Sequence, residues 1–243
     1  MGETPKTALF RFANAKRPYP YSLNYRTMFT YIPAKYVTVN RKRRLSFDGK
    51  AYPSVSTILS ATKPEEDRLA LQRWRKRIGY QQAQKITTQA CRRGTSVHTA
   101  INYFLDGREL PEDVEDNLYW HSIKPVLESV SEVHLLESAV YHAEQQYAGR
   151  FDCLGEWEGE LCVFDWKTAR KPKKLEWITD YCLQLTAYTA AINHLYNVQI
   201  DRGIIAIALE DRSAQVFQLN AEDLGNYWQQ FLVRLRLWQQ ISS

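Results

Sequence analysis

Carboxylates are missing where the chain is most basic. Across residues 1–47 Glu3 stands alone against Lys6, Arg11, Lys16, Arg17, Arg26, Lys35, Arg41, Lys42, Arg43 and Arg44. Between Asp67 and Asp106 there is no acid at all, yet Arg68, Arg73, Arg75, Lys76, Arg77, Lys85, Arg92 and Arg93 fall there. The formal net charge is only +5, so the surplus is local. Local surplus favours a polyanionic partner; a solvated helix face and a loose basic arm are the plainer alternative.

Cysteine is sparse too. Cys91, Cys153, Cys162 and Cys182 form no C-x-x-C pair and have no close His partner, which argues against zinc and for a reduced, intracellular protein. Long apolar runs are absent: the longest, "IIAIAL" at 204–209, falls far short of the roughly 18 residues of a membrane span and reads as a buried strand. No apolar signal core opens the chain. The start is acid-poor like a mitochondrial presequence, but Pro5, Pro18, Pro20 and Pro33 would break the helix such a segment needs. Tyr19, Tyr21, Tyr25, Tyr31 and Tyr36 suit a contact surface better than a disposable tag. Internal repeats and low-complexity linkers are lacking as well.

What remains is a chain of 243 residues, 44% hydrophobic and 24% charged, enough for one sizeable core. Ser54 in "YPSVSTIL" is a helix N-cap. Residues 64–79 open on Pro and acids and close on bases and Gly, so they predict a helix. A longer helix is expected over about 80–105, interrupted or kinked near Gly94, and another over 111–131, disturbed at Pro125. The period then changes. Residues 133–142, 146–157 and 160–168 predict three sequential strands, followed by a helix over 175–196, strands at 203–209 and 214–219, and a last helix packed through Tyr227, Trp228, Phe231, Leu235 and Trp238. The order predicts a mixed α/β domain with one central sheet.

The chemistry concentrates in one hairpin. If Glu158-Gly159 is a two-residue turn, Trp157 pairs with Glu160 and Asp152 stands directly opposite Asp165. Lys167 points to the same face. Two acids with a base beside them describe either a structural ion pair or a seat for a hard divalent cation that takes oxygen ligands. Glu137, a polar interruption in "LLESAVY", offers a third acid, and His98 sits in an apolar helical stretch. Gln184 and Tyr188, at i and i+4, share a helix face and could hold a nucleic-acid backbone or the lysine; ordinary packing is the other reading.

His98, Glu137, Asp152, Asp165-Trp166-Lys167 and Gln184 with Tyr188, in that order, resemble the PD-(D/E)XK nuclease superfamily and its RecB-like branch. "YPSVSTIL", "LQRWRKRIG", "RRGTSVH", "GRFDCLGEWEGELCVFDWKTARKPKK" and "LQLTAYTAAIN" are similar to the mitochondrial genome maintenance exonucleases and their bacterial or phage relatives. The resemblance covers about 50–210 and implies a restriction-endonuclease-like core. It implies that Asp152 and Asp165 bind Mg²⁺ or Mn²⁺, with His98 and the Trp166 carbonyl as further ligands. It further implies that Lys167 serves the attacking water, Glu137 completes the acidic cluster, and Gln184 and Tyr188 order the site.

The activity implied is phosphodiester hydrolysis at ends of single-stranded DNA, in replication, repair or recombination. An endonuclease, a duplex-processing exonuclease and a catalytically silent DNA-binding adaptor are the alternatives. Phe151 stands where the family has Pro. No cysteine follows Cys182, so no iron–sulfur cluster is expected. Arg73, Trp74, Arg75, Lys76 and Arg77, with Arg92, Arg93, Lys171, Lys173 and Lys174, become candidate contacts to single-stranded DNA, with bases stacking on aromatic side chains. The expected organisation is a basic aromatic arm, 1–47, then one nuclease domain, 48–243, helical to 131 and sheet-based from 132. The lack of a long leading extension favours a bacterial or phage cytoplasm over a mitochondrial matrix, and no membrane partner is expected.

Overall fold

The computed structural model describes residues 28–242. Ten strands and six α-helices are present among them. The central sheet has five strands in the order β10-β9-β8-β7-β4: β4 (Val130–Leu136), β7 (Cys153–Trp157), β8 (Glu160–Ala169), β9 (Gly203–Leu209) and β10 (Gln215–Leu219). Only β8 and β9 run parallel, so a crossover must join them. Helix α5 (Thr179–Tyr196) is that crossover, ended by Asn197 in the left-handed region.

Both sheet faces are covered. On β9, Ile205, Ile207 and Leu209 enter one core with α5 and α6 (Ala221–Ser242). Ile204, Ala206 and Ala208 enter the other, with α3 (Tyr80–Leu105) and α4 (Leu118–Leu127). Such continuous apolar runs are what a doubly covered strand requires. On β8 the same alternation puts Phe164 and Trp166 on the α3/α4 side, and therefore Asp165 and Lys167 on the α5 side. Of the expected α6 stripe, Trp228, Phe231, Leu235 and Trp238 are buried and Tyr227 is half-buried; Leu224, not among the expected residues, is buried with them. Among the described residues no helix is long and apolar enough to cross a membrane.

Helix starts follow local chemistry. Ser54 Oγ accepts the Thr57 N–H ahead of α1 (Val55–Ala61). Helix α2 (Glu65–Ile78) opens on Glu65, Glu66 and Asp67, closes on Arg75, Lys76 and Arg77, and stops at Gly79 with φ 87°. Asn117 caps α4 by accepting the Tyr119 and Trp120 N–H groups.

Several elements differ from expectation. Helix α3 runs unbroken through Gly94, because a single glycine in a 26-residue helix costs only about 1 kcal/mol. The helix expected over 111–131 is a 3₁₀ turn at Val114–Asp116 followed by α4, which ends two residues after Pro125. The basic stretch from Tyr36 is folded. Strands β1 (Tyr36–Val39), β2 (Lys42–Phe47) and β3 (Lys50–Tyr52) form a three-stranded antiparallel sheet, its Leu45, Phe47 and Tyr52 buried. The remainder of the expected arm, residues 1–27 with Tyr19, Tyr21 and Tyr25, lies outside the described residues.

Candidate active site

Each of the first two long strands expected around the hairpin is two strands. The first breaks at Glu137, between β4 and β5 (Ala139–His142); the second breaks at Phe151-Asp152, between β6 (Tyr147–Arg150) and β7. Both breaks fall at one level, tied by the Glu137 N–H donating to the Asp152 carbonyl at 2.9 Å. Glu137 has φ 50°, a conformation that costs a non-glycine residue about 1–3 kcal/mol and clusters at functional sites. Beyond the break β5 and β6 pair with each other.

The hairpin itself forms as expected. Trp157 pairs with Glu160 across a turn with Glu158 at φ 53° and Gly159 at φ 78°, the two positive values of a type I′ turn. The ladder stops at Cys153–Phe164, one pair short of the two aspartates. Asp152 has left the strand, and its Oδ2 accepts the Trp166 N–H at 2.8 Å. Direct opposition of Asp152 and Asp165 is thus replaced by a staggered arrangement, which spares the sheet two facing carboxylates.

The break admits a side chain from the opposite layer. His98, on the buried side of α3 near Val97 and Ile101, lies 2.8 Å from the Trp166 carbonyl through Nε2. A carbonyl only accepts, so Nε2 carries the proton and Nδ1 is the atom turned to the acids. Nδ1 lies 3.8 Å from Glu137 Oε1 and 3.8 Å from Asp152 Oδ1. Burial works to lower the His98 pKa, but Glu137 and Asp152 outweigh it and the pKa is raised. Glu137 is held by the Asn102 amide at 3.3 Å and Arg150 Nε at 2.9 Å. Burial favours its neutral form, but His98 and Arg150 win and its pKa is lowered, so it is ionised at neutral pH.

On the α5 side the buried Asp165 carboxylate meets Lys167 Nζ at 2.6 Å. Burial chiefly, with the Asp152 charge, pushes Asp165 up to about 6 against the pull of Lys167. Burial would discharge Lys167, yet Asp165 and Asp152 raise its pKa instead. The ammonium sits 5.2 Å from the Tyr181 ring centroid. Gln184 Nε2 donates to Tyr188 Oη at 2.9 Å. Burial, then the Asp165 charge, raises the Tyr188 pKa well beyond an ordinary phenol, so the hydroxyl keeps its proton.

The edge of the Tyr188 ring also abuts Gly149, where a Cβ would meet its Cε1 at 2.2 Å. Gly149→Ala must therefore displace that ring. A melting experiment should show a loss of about 1–3 kcal/mol, the usual cost of overpacking, and an unchanged midpoint would contradict the packing described.

Three donor atoms, from His98, Glu137 and Asp152, lie within 4.8 Å of one another. Two carboxylate oxygens and an imidazole nitrogen in that volume fit one divalent cation, and the mixed set suits Mn²⁺ at least as well as Mg²⁺. The Trp166 carbonyl, expected as a ligand, orients the His98 ring in this structure.

The basic candidates are placed unevenly. Arg73, Arg75, Lys76 and Arg77 are exposed on α2, a helix with no buried residue, and Trp74 is half-exposed. Arg92 is exposed; Arg93 instead donates from Nε to Thr168 Oγ1 at 3.1 Å, next to Lys167, with its guanidinium 4.9 Å from the Tyr119 ring centroid. Lys171 and Lys174 are exposed, Lys174 lying 5.4 Å from the ring of the 61% exposed Trp177. The Gln215 amide clamps the backbone of Lys173 through both its N–H and its carbonyl. Sequence reasoning passed over Asn102, Arg150 and Tyr181. Arg150 was findable, standing two residues before Asp152.

The model of the PD-(D/E)XK nuclease superfamily matches residues 68–243. The chain belongs to that superfamily. Among curated proteins it is similar to the mitochondrial genome maintenance exonuclease 1 of Homo sapiens, 36% identical over 195 residues, covering 75% of this chain and 57% of the relative. That of Mus musculus is 36% identical over 203 residues, covering 79% of this chain and 60% of the relative. The chain thus spans less than two thirds of the length of these relatives. An alkaline exonuclease structure from Laribacter hongkongensis overlays 60% of this chain and 82% of its own at 11% identity and a TM-score of 0.30, too loose to carry weight.

Proposed function

We propose that this chain is a divalent-metal-dependent deoxyribonuclease that hydrolyses phosphodiester bonds from the ends of single-stranded DNA. The observation that carries the reading is the convergence of His98, Glu137 and Asp152 beside the buried Asp165–Lys167 pair. The names of the relatives support end-directed cleavage.

His98, Glu137 and Asp152 would hold Mg²⁺ or Mn²⁺, with Asp165 behind them. An ion held by these residues would supply Lewis-acid charge at the scissile phosphate and lower the pKa of a nearby water. The chain's own residues do the rest. Lys167 keeps its proton, so it acts as a fixed cation that steadies the attacking water and the charge growing on phosphorus. Asp165 aims the ammonium, and Tyr188, held by Gln184, offers a donor on the same side. Exposed bases on α2 and past β8 lead the strand in. Replication, repair or recombination is the setting such chemistry serves.

The test compares end-labelled linear single strands with circular ones of the same sequence, with Mg²⁺ or Mn²⁺ and then with chelator. Linear strands should lose label while circles survive, and chelator should stop the loss. Cut circles would mean an endonuclease, preference for linear duplex a duplex-processing exonuclease, and binding without cleavage a silent adaptor.

A further inference from the structure

The sheet β1–β3 packs through Leu45, Phe47 and Tyr52 against Ala139 and Ala148 of the broken strands. Between it and the broken strands lies a cavity of about 290 Å³, bounded by Arg43, Arg44, Arg150, Ser56, Thr57 and Tyr188. Among the described residues no acid lines it. Arg44 lines it while its guanidinium lies 5.6 Å from the Trp238 ring centroid. Arg43 stacks on the Tyr36 ring at 3.6 Å, which fixes the plane of the guanidinium. Arg150 belongs to both places, lining the cavity while its Nε holds Glu137.

We propose that this cavity binds a phosphate group of the nucleic-acid strand, next to the cation cluster. Guanidinium donors in a planar fork match phosphate oxygens, and Arg43, Arg44 and Arg150 converge on a space that no acid among the described residues neutralises. The Ser56 and Thr57 hydroxyls can donate to the same oxygens. At about 300 Å³ the space is at the small end of ligand pockets, which suits one phosphate with its sugar rather than a stacked run of bases. Through Arg150, a strand anchored there is registered against Glu137. The inference rests on the reading of the chain as a DNA-processing enzyme, but its chemistry is separable. The phosphate can be a terminal monoester or an internal diester.

Binding is measured in chelator, with 5′-phosphorylated and 5′-hydroxyl single strands of one sequence, over a range of salt. Arg44→Gln should raise Kd about tenfold and reduce the slope of log Kd against log salt by about 1, the signature of one lost phosphate contact. Arg43→Gln, at an exposed position where folding is not at stake, should act in the same direction. A loss confined to the 5′-phosphorylated strand assigns the terminal monoester; an equal loss on both assigns an internal diester. Unchanged affinity and slope in both variants would overturn the proposal. Arginine-dependent binding by a protein that cuts no DNA would retire the nuclease reading and leave the pocket standing; cleavage indifferent to both arginines would do the reverse.

Discussion

Lys167→Ala is expected to lower the turnover of DNA cleavage about a thousandfold, the scale seen when a positioned electrostatic group is removed from a transition state, while strand binding in chelator persists. The geometry makes a second effect unavoidable. Asp165 is 1% exposed and Lys167 is the cation beside it. Breaking a buried pair on one side costs about 3–5 kcal/mol when the other charge stays. Burial, with the Asp152 charge, already raises the Asp165 pKa, so it can take a proton instead of staying charged. The stability effect and the catalytic effect must therefore be separated. Pairing Asp165→Asn with Lys167→Met removes both charges together. If the ion pair were only structural, this double variant would regain melting temperature and cleavage alike. Regained stability without cleavage is the expected result, and measurable cleavage in it would reduce Lys167 to a structural role.

The hairpin was legible because its information is local. The glycine at 159 and the apolar alternation on both sides fix the turn and hence the register, Trp157 to Glu160. From that register the shared face of Asp165 and Lys167 follows by counting. The breaks at Glu137 and Asp152 were not legible, since a strand that stops and one that continues bury the same alternate residues. What decides the matter is three-dimensional: the Glu137 N–H finds the Asp152 carbonyl, and His98 enters from the opposite layer. Periodicity within 133–142 cannot report a histidine some 35 residues earlier. The sheet at 36–52 was hidden for another reason. "KRRLSF" reads as a basic segment, and only Leu45 and Phe47 disclose its buried face. The exposed bases of α2 show the limit of charge counting, which locates a positive helix but does not aim it.

Asp152→Asn is expected to weaken Mn²⁺ binding more than about a hundredfold, beyond the 10–100-fold that loss of a ligand's supporting partner costs, and to abolish cleavage with it. The substitution is chosen because it changes charge and little else. Asp152 Oδ2 accepts the Trp166 N–H at 2.8 Å, and an asparagine side-chain oxygen can accept the same bond, so the staggered end of the hairpin stays in place. The carboxylate charge facing His98 Nδ1 at 3.8 Å is lost. Direct Mn²⁺ titration, by calorimetry or by the ion's electron-spin resonance, reads the cation without reference to turnover. Glu137→Gln should behave alike for the ion but also frees Arg150 from its 2.9 Å partner, so it reports on the neighbouring cavity as well. Lys167→Met should leave Mn²⁺ bound, because its ammonium repels rather than ligates a cation. Undiminished Mn²⁺ affinity in Asp152→Asn would mean that the cluster is a hydrogen-bonded strut for the broken strands, and the proposed chemistry would lose its centre.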